Sequence, residues 1–211
     1  MGIGVVAASA LGCGGSSTTV RPAGAALTAS TRPDELREDE RERAATLYES
    51  ACKDEDPNAC GYLSFMYDNG YGVEADLDNA VELSERACTA GSPYGCAYLG
   101  YLHRLGRGVE QDDSRAATLF RRACDDNDSY GCVGLALLYK AGAGVARDDA
   151  YAAELFRRAC DQGEGMACYS LGYMYAHGEG VDVDLDQAAK LFRAACDGGD
   201  RTGCQAAHQV E

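Results

Sequence analysis

The cysteines are the residues of this chain whose type and spacing most clearly indicate chemistry. Ten of the eleven form five pairs whose members lie eight residues apart: Cys52 and Cys60, Cys88 and Cys96, Cys124 and Cys132, Cys160 and Cys168, and Cys196 and Cys204. Thiols form disulfides, bind zinc as thiolates, or stay reduced in a core. Zinc is disfavoured, because this is not the spacing of a zinc finger or ribbon and the three histidines do not accompany the pairs.

The residues between the two cysteines of each pair favour a reversal of the chain. Every such segment contains turn formers, among them Pro57, Gly91, Asn127, Gly163 and Gly198. On one continuous helix, eight residues span about 12 Å, which exceeds the roughly 7 Å that a disulfide allows between Cα atoms. With a turn between them, each pair can join the end of one helix to the start of the next. We therefore expect five disulfides and an oxidising compartment, with buried reduced thiols as the alternative.

Two other motifs resemble catalytic or metal-binding sequences. Ser50–Lys53 matches the Ser-x-x-Lys of serine β-lactamases, but the companion motifs Ser-Asp-Asn and Lys-Thr-Gly are absent. The acidic segment Asp182–Asp186 resembles the start of a calcium loop, although Gln187 and Arg193 occupy the positions that need glycine and a bidentate glutamate. We therefore predict no catalytic residue, no metal site and no cofactor.

The cysteine pairs belong to a 36-residue repeat without insertions. Full rows begin at Cys52, Cys88, Cys124 and Cys160, and a partial row begins at Cys196. A fixed period of this length indicates an array of stacked supersecondary units. In the second row, the sequence predicts a first helix (helix A) over 95–105, a Gly-x-Gly-Val loop over 106–109, and a second helix (helix B) over 112–123.

Constant residues predict where these helices end. The first glycine of each loop suits a left-handed C-cap: Gly70, Gly106, Gly142 and Gly178. An aspartate suits the N-cap of each helix B: Asp76, Asp112, Asp148 and Asp184. We also expect an N-terminal helix over 33–52, capped by Thr31, and a polar capping half-repeat over 196–211. The fold is thus predicted to be all-α, with ten helices forming a repeat domain over 33–211.

The N-terminal segment has the composition of an export signal. Residues 1–12 are uncharged and mostly apolar, which predicts a signal peptide. The run Ala10–Cys13 resembles a bacterial lipoprotein box, so that Cys13 would receive lipid; an ordinary signal peptide with an incidental cysteine is the alternative. Residues 13–32 then form a flexible tether rich in small residues. These features predict an exported protein, lipid-anchored at the periplasmic face of the outer membrane or at the cell surface.

The charge of the chain limits its partners. The net charge of −15 disfavours nucleic acid, which requires a basic face, and disfavours electrostatic docking on an anionic bilayer. Contact with a membrane would therefore occur only through the N-terminal lipid. The acidity would suit a basic protein or peptide partner.

The constant residues resemble a known family. The pattern Leu99-Gly100, Gly106-x-Gly108-Val109, Asp112, Ala116, Leu119 and Ala123 is similar to the Sel1-like repeat, a relative of the tetratricopeptide repeat. The added cysteine pairs resemble the cysteine-rich secreted subgroup. The resemblance implies an α/α solenoid with one disulfide per repeat, usually a protein-interaction scaffold. Names in that subgroup keep a β-lactamase-like, penicillin-binding or peptidoglycan-modifying enzyme open, and a self-assembling structural envelope protein is a third alternative.

Comparison of the rows indicates a binding surface. One face of helix A varies between rows, and A helices line the concave side of such solenoids. This face predicts a groove with aromatic anchors and changing charge, made of Tyr62, Phe65, Tyr98, Tyr101, Arg104, Leu137, Lys140, Tyr169, Tyr173 and His177. The alternative is that these aromatic residues only pack between adjacent helices.

Overall fold

The computed structural model describes Pro33 and residues 36–209, and this part of the chain is entirely α-helical apart from turns and short 3₁₀ segments. Its ten α-helices are α1 Arg41–Lys53, α2 Pro57–Asn69, α3 Leu77–Thr89, α4 Pro93–Leu105, α5 Asp113–Asp125, α6 Ser129–Ala141, α7 Asp149–Cys160, α8 Gly165–His177, α9 Leu185–Asp197 and α10 Arg201–Gln209. The even-numbered helices are the A helices and the odd-numbered ones are the B helices. The all-α prediction is confirmed.

The predicted caps define the helix ends. Gly106 ends α4 with φ of 66°, and the three equivalent glycines have the same left-handed conformation. The side chain of Asp112 accepts a hydrogen bond from the backbone N–H of Arg115, as the equivalent aspartates do in the other rows. Helix α4 begins at Pro93, two residues earlier than expected, because Ser92 caps it and proline is well tolerated in the first helical turn.

The N-terminal helix is shorter than the predicted span of 33–52. A 3₁₀ turn over Glu38–Glu40 precedes it, and the α-helix begins at Arg41 and ends at Lys53. Arg37, before the turn, has extended backbone and contacts the Glu40 carboxylate through its own N–H and its guanidinium group. This local arrangement replaces the first turns of the expected helix. Thr31, the expected cap, lies outside the described residues.

All five predicted disulfides are present. Each joins the last turn of a B helix to the first turn of the A helix that follows, with Cα atoms 4.4–4.7 Å apart. Because each pair of cysteines brackets one turn, the disulfide sets the angle between two helices that are adjacent in sequence. The fold is therefore an α/α solenoid with one disulfide per repeat.

Rows stack through close contacts of loop and helix backbones. The second glycine of each loop lies against the start of the preceding B helix: a Cβ added to Gly144 would lie 2.3 Å from the carbonyl carbon of Asp113. Gly144 also has φ of 67°, so both its backbone conformation and its surroundings require glycine. Successive A helices contact one another (α2 with α4, α4 with α6, α8 with α10), which places them on the inner side of the stack.

An arginine near the end of each middle B helix joins that helix to the previous row. The guanidinium group of Arg158 donates to the carbonyl oxygen of Cys124 at 2.6 Å, and Arg86 donates to that of Cys52. Arg122 has its guanidinium 3.7 Å from the Cys88 sulfur. These arginines recur every 36 residues, but the sequence comparison did not single them out. Arg86 and Arg158 donate to helix C-terminal carbonyl groups that have no partner within their own helix.

The expected signal peptide, the tether and Cys13 lie outside the described residues. Within the described part of the chain, no helix combines the length and the apolar character that crossing a membrane requires.

Candidate binding surface

A cavity of about 390 Å³ opens on the A-helix face in the middle of the solenoid. Its walls come from four consecutive A helices and one B helix, and the lining is mostly aromatic and aliphatic: Phe65, Asn69, Tyr94, Ala97, Tyr98, Tyr101, Arg104, Phe120, Tyr130, Val133, Gly134, Leu137 and Met166. We call this space the central cavity. Concave, mainly apolar surfaces with a few polar groups are typical binding sites.

One row has glycine at a position that borders the central cavity. Gly134 in α6 occupies the position that holds Tyr62 and Tyr98 in the two preceding rows. The ring of Phe120, from the preceding B helix, packs against this glycine so closely that a Cβ there would lie 2.6 Å from it. Where the two preceding rows place a tyrosine, this row has only glycine beside the Phe120 ring, on the floor of the central cavity.

Tyr98 is a fixed wall of the central cavity rather than a mobile anchor. It is only 9% exposed, and its hydroxyl group donates a hydrogen bond to the Asp68 carboxylate at 2.5 Å. Burial, followed by this hydrogen bond, raises the pKa of Tyr98 far above its ordinary value of 10.0. The hydroxyl group therefore remains a protonated donor at physiological pH.

Asp68 connects two rows through an ion pair. Its carboxylate is 2.7 Å from Nε of Arg107, and the Arg107 guanidinium also donates to the Asp68 carbonyl oxygen at 3.0 Å. The hydrogen bond to Asp68 raises the pKa of Arg107. Asp68 is on an A helix, whereas Arg107 lies between the two glycines of the next row's loop.

The same connection recurs with its charges exchanged. Two rows later, Lys140 takes the position of Asp68 and Glu179 takes that of Arg107, and the ammonium and carboxylate groups are 2.8 Å apart. The row between them breaks the pattern, because Arg104 holds the helix position and the matching loop residue is Ala143. Among the described residues Arg104 has no ion-pair or hydrogen-bond partner, and it lines the central cavity.

The structure divides the ten predicted groove residues into two sets. The first set lines the central cavity: Phe65, Tyr98, Tyr101, Arg104 and Leu137. The second set lies elsewhere on the A helices: Tyr62, Lys140, Tyr169, Tyr173 and His177.

The residues of the second set pack among themselves and with their neighbours. Tyr62 contacts Tyr94 with ring centroids 4.8 Å apart, and Tyr169 lies 5.7 Å from Phe192. The Tyr173 ring stacks on His177 at 3.9 Å, and the ammonium group of Lys140 lies 5.4 Å from the Tyr173 centroid. Packing between helices therefore accounts for several of these aromatic side chains.

Several cavity residues were not among those predicted. Tyr94, Tyr130 and Met166 share one position in the repeat, near the start of helix A, and the sequence comparison did not follow that position. The same comparison of rows could have found them. Phe120 could not be found in that way, because its contact with Gly134 joins a B helix to the next row.

A second cavity, of about 430 Å³, lies beside His103. The other rows place a tyrosine at this position, and those hydroxyl groups contact a B-helix side chain, as in the 2.7 Å bond that Tyr139 accepts from Arg121. His103 is 5% exposed, and neither ring nitrogen has a hydrogen-bond partner among the described residues. The shorter imidazole leaves space between His103 and Glu85, the counterpart of Arg121.

The motifs that resembled enzyme and metal sites occupy exposed positions. Ser50 and Lys53 lie on the solvent-exposed last turn of α1, whereas nucleophilic catalysis needs a positioned base and a prepared oxyanion site. Asp184 caps α9 by accepting from the backbone N–H of Gln187 at 2.8 Å. No three histidine, cysteine or acidic side chains of the described residues are grouped so that they could hold a metal ion.

These features define a class of protein, a disulfide-linked helical-repeat scaffold whose A helices carry the concave surface. Four consecutive segments, 57–92, 93–128, 129–164 and 165–200, match the model of the Sel1 repeat. The chain therefore belongs to the Sel1 repeat family. No curated protein matches it in sequence.

Solved structures of several bacterial proteins are similar to this chain. A protective antigen of uropathogenic Escherichia coli shares 27% identity with a TM-score of 0.69, over 80% of this chain and 36% of its own. A Sel1 repeat protein of Oxalobacter formigenes shares 30% identity with a TM-score of 0.68, over 81% and 49%. Cysteine-rich protein B of Helicobacter pylori shares 29% identity with a TM-score of 0.51, over 64% and 96%. The chain thus spans about a third and a half of the first two proteins.

Proposed function

We propose that this protein is a non-catalytic scaffold of the bacterial cell envelope that holds a protein or peptide partner in the central cavity. Sel1 repeats form a scaffold that typically mediates protein interactions, and this chain has four of them. The observation that carries the proposal is the central cavity itself, whose lining forms an apolar, aromatic surface in the middle of the A-helix face. A tyrosine at position 134, as in the two rows before it, would need the space that the Phe120 ring occupies.

The composition of the central cavity suits a protein partner. Tyr101 and Met166 at its edge are 38% and 45% exposed, so large apolar side chains remain available for contact. Tyrosine and arginine are enriched among the residues that dominate interface energies, and both line this cavity. The partner is expected to insert one large side chain over Phe120 and to lie along the A helices.

The disulfides are consistent with export of the protein from the cytoplasm. Five disulfides and the similar bacterial proteins indicate an exported protein. Anchoring through a lipid on Cys13, with residues 13–32 as a tether, belongs to the proposal. Mass spectrometry of the N-terminal peptide tests it: a lipid adduct on Cys13 that is lost in Cys13→Ser is expected, and an unmodified mature N-terminus would contradict the anchor.

The binding proposal is tested by two matched substitutions. Tyr101 and Tyr173 occupy the same position in different rows and are 38% and 37% exposed, but only Tyr101 lines the central cavity. Tyr101→Ser is expected to abolish recovery of the partner from cross-linked envelope extract, measured by quantitative mass spectrometry. Tyr173→Ser should leave recovery unchanged. Equal recovery by both variants would contradict the claim that the partner binds in the central cavity.

A further inference from the structure

We infer that the partner segment is acidic where it meets the central cavity, with a large apolar side chain next to a carboxylate. This inference rests on the proposed function and names the chemistry of the partner. It differs from what the net charge of −15 suggests, since that overall acidity would favour a basic partner.

The inference follows from the exception in the ion-pair pattern. At this position of helix A, Asp68 is paired with Arg107 and Lys140 is paired with Glu179, each across one row boundary. Arg104 has Ala143 where its partner would be. A guanidinium group that is half-buried and lacks a partner among the described residues can bind a carboxylate from outside the chain.

The residues around Arg104 indicate which side chains the partner carries. Of the described residues that line the central cavity, Arg104 alone is charged, so the cavity is locally cationic within an acidic protein. The apolar floor of Phe120 and Leu137 lies in the same cavity. A side chain such as leucine or phenylalanine on the floor, followed within one or two residues by aspartate or glutamate, satisfies both features.

A displayed library of random 12-residue peptides tests the inference. Selection is made on the oxidised protein at about 0.15 M salt, where the Debye length of about 8 Å reduces attraction by the overall charge. A counter-selection uses the double variant Gly134→Tyr, Phe120→Ser, in which the tyrosine is expected to occupy part of the cavity. Peptides that also bind this double variant are removed. We expect the remaining peptides to be enriched in aspartate or glutamate beside a large apolar residue.

Fluorescence anisotropy of the selected peptides provides the second readout. Arg104→Glu should weaken their binding about tenfold, as expected for the loss of a charge-assisted hydrogen bond. Arg193→Glu, on α9 and outside the cavity, changes the net charge equally and should leave the affinity unchanged.

Each other outcome has a defined meaning. Cavity-dependent peptides that are basic or neutral, or that are insensitive to Arg104→Glu, would overturn the acidic partner and leave the peptide-binding surface intact. A selection without cavity-dependent peptides would contradict the proposed function together with this inference. A cavity occupied by a second copy would appear as a dimer in light scattering that Tyr101→Ser dissociates, and it would also overturn the inference.

Discussion

Gly134 and Phe120 lie in van der Waals contact across a row boundary, and a Cβ on the glycine would approach the ring to 2.6 Å. The preceding row has Ser84 and Tyr98 at the two equivalent positions, so a large residue on one helix accompanies a small residue on the other. At the central cavity the large residue is on the B helix, and Phe120 forms part of the lining.

This relationship predicts a size exchange that can be measured. Gly134→Tyr should destabilise the protein by about 1 to 3 kcal/mol, because overpacking displaces the Phe120 ring. Adding Phe120→Ser recreates the pair of the preceding row and should restore most of that loss. Urea unfolding of the oxidised protein checks both variants. A double variant no more stable than Gly134→Tyr alone would show that the two positions are not coupled.

The two ion pairs predict that their charges can be exchanged. Asp68 is buried, so Asp68→Lys or Arg107→Glu alone should destabilise by about 3 kcal/mol, because each leaves like charges together in a poorly solvated place. The double variant restores a pair of opposite charges and should recover part of the loss in thermal unfolding; the rest remains, because a lysine at position 68 cannot accept the hydrogen bond of Tyr98. The exposed pair of Glu85 and Arg115 is the control, and Arg115→Ala should cost at most about 1 kcal/mol. Additive losses in the double variant would contradict the coupling.

The hydroxyl group of Tyr98 predicts a specific alkaline behaviour. Since the folded state raises its pKa, its contribution to stability is complete below the ordinary value of about 10 and is lost as the pH rises above it. Absorbance at 295 nm should therefore show equal ionisation amplitudes for the folded wild type and Tyr98→Phe up to about pH 11. In denaturant, the wild type should exceed the variant by one tyrosine. An excess of one tyrosine in the folded state would contradict the assignment.

The cavity beside His103 predicts a stabilising substitution. His103→Tyr introduces the residue of the other rows, fills space between helices, and should raise stability by about 0.5 to 2 kcal/mol. The reverse change, Tyr139→His, removes the 2.7 Å hydrogen bond with Arg121 and should lower stability. Differential scanning calorimetry measures both. A lower melting temperature for His103→Tyr would contradict this prediction, because it would mean that the imidazole stabilises the fold more than the tyrosine does.

The helices and caps could be predicted because they depend on residues close in sequence. Gly106 and Asp112 define the ends of neighbouring helices through local backbone conformation and local hydrogen bonds. The predicted start of the N-terminal helix was wrong, also because of a local contact. The contact between Arg37 and Glu40 stabilises a 3₁₀ turn, which the periodicity of the sequence does not reveal. Local chemistry thus accounts for both the agreement and the difference.

The binding surface could be predicted only in part. Row comparison located the variable face and five of the residues that line the central cavity, but it treated Gly134 as one variable residue among several. Its meaning depends on Phe120 from another helix. Arg104 lacks a partner among the described residues because Ala143 lies at the matching position of the next row's loop. Contacts between rows decide these properties, and they require the three-dimensional register of the stack.

The disulfides have a consequence for how the protein is made. Each links cysteines eight residues apart, and none of the five joins one row to another. Correct pairing therefore needs only one short stretch of polypeptide outside a translocation channel. The N-terminal row can oxidise before later rows have emerged, and the order of emergence favours the native partner for every cysteine.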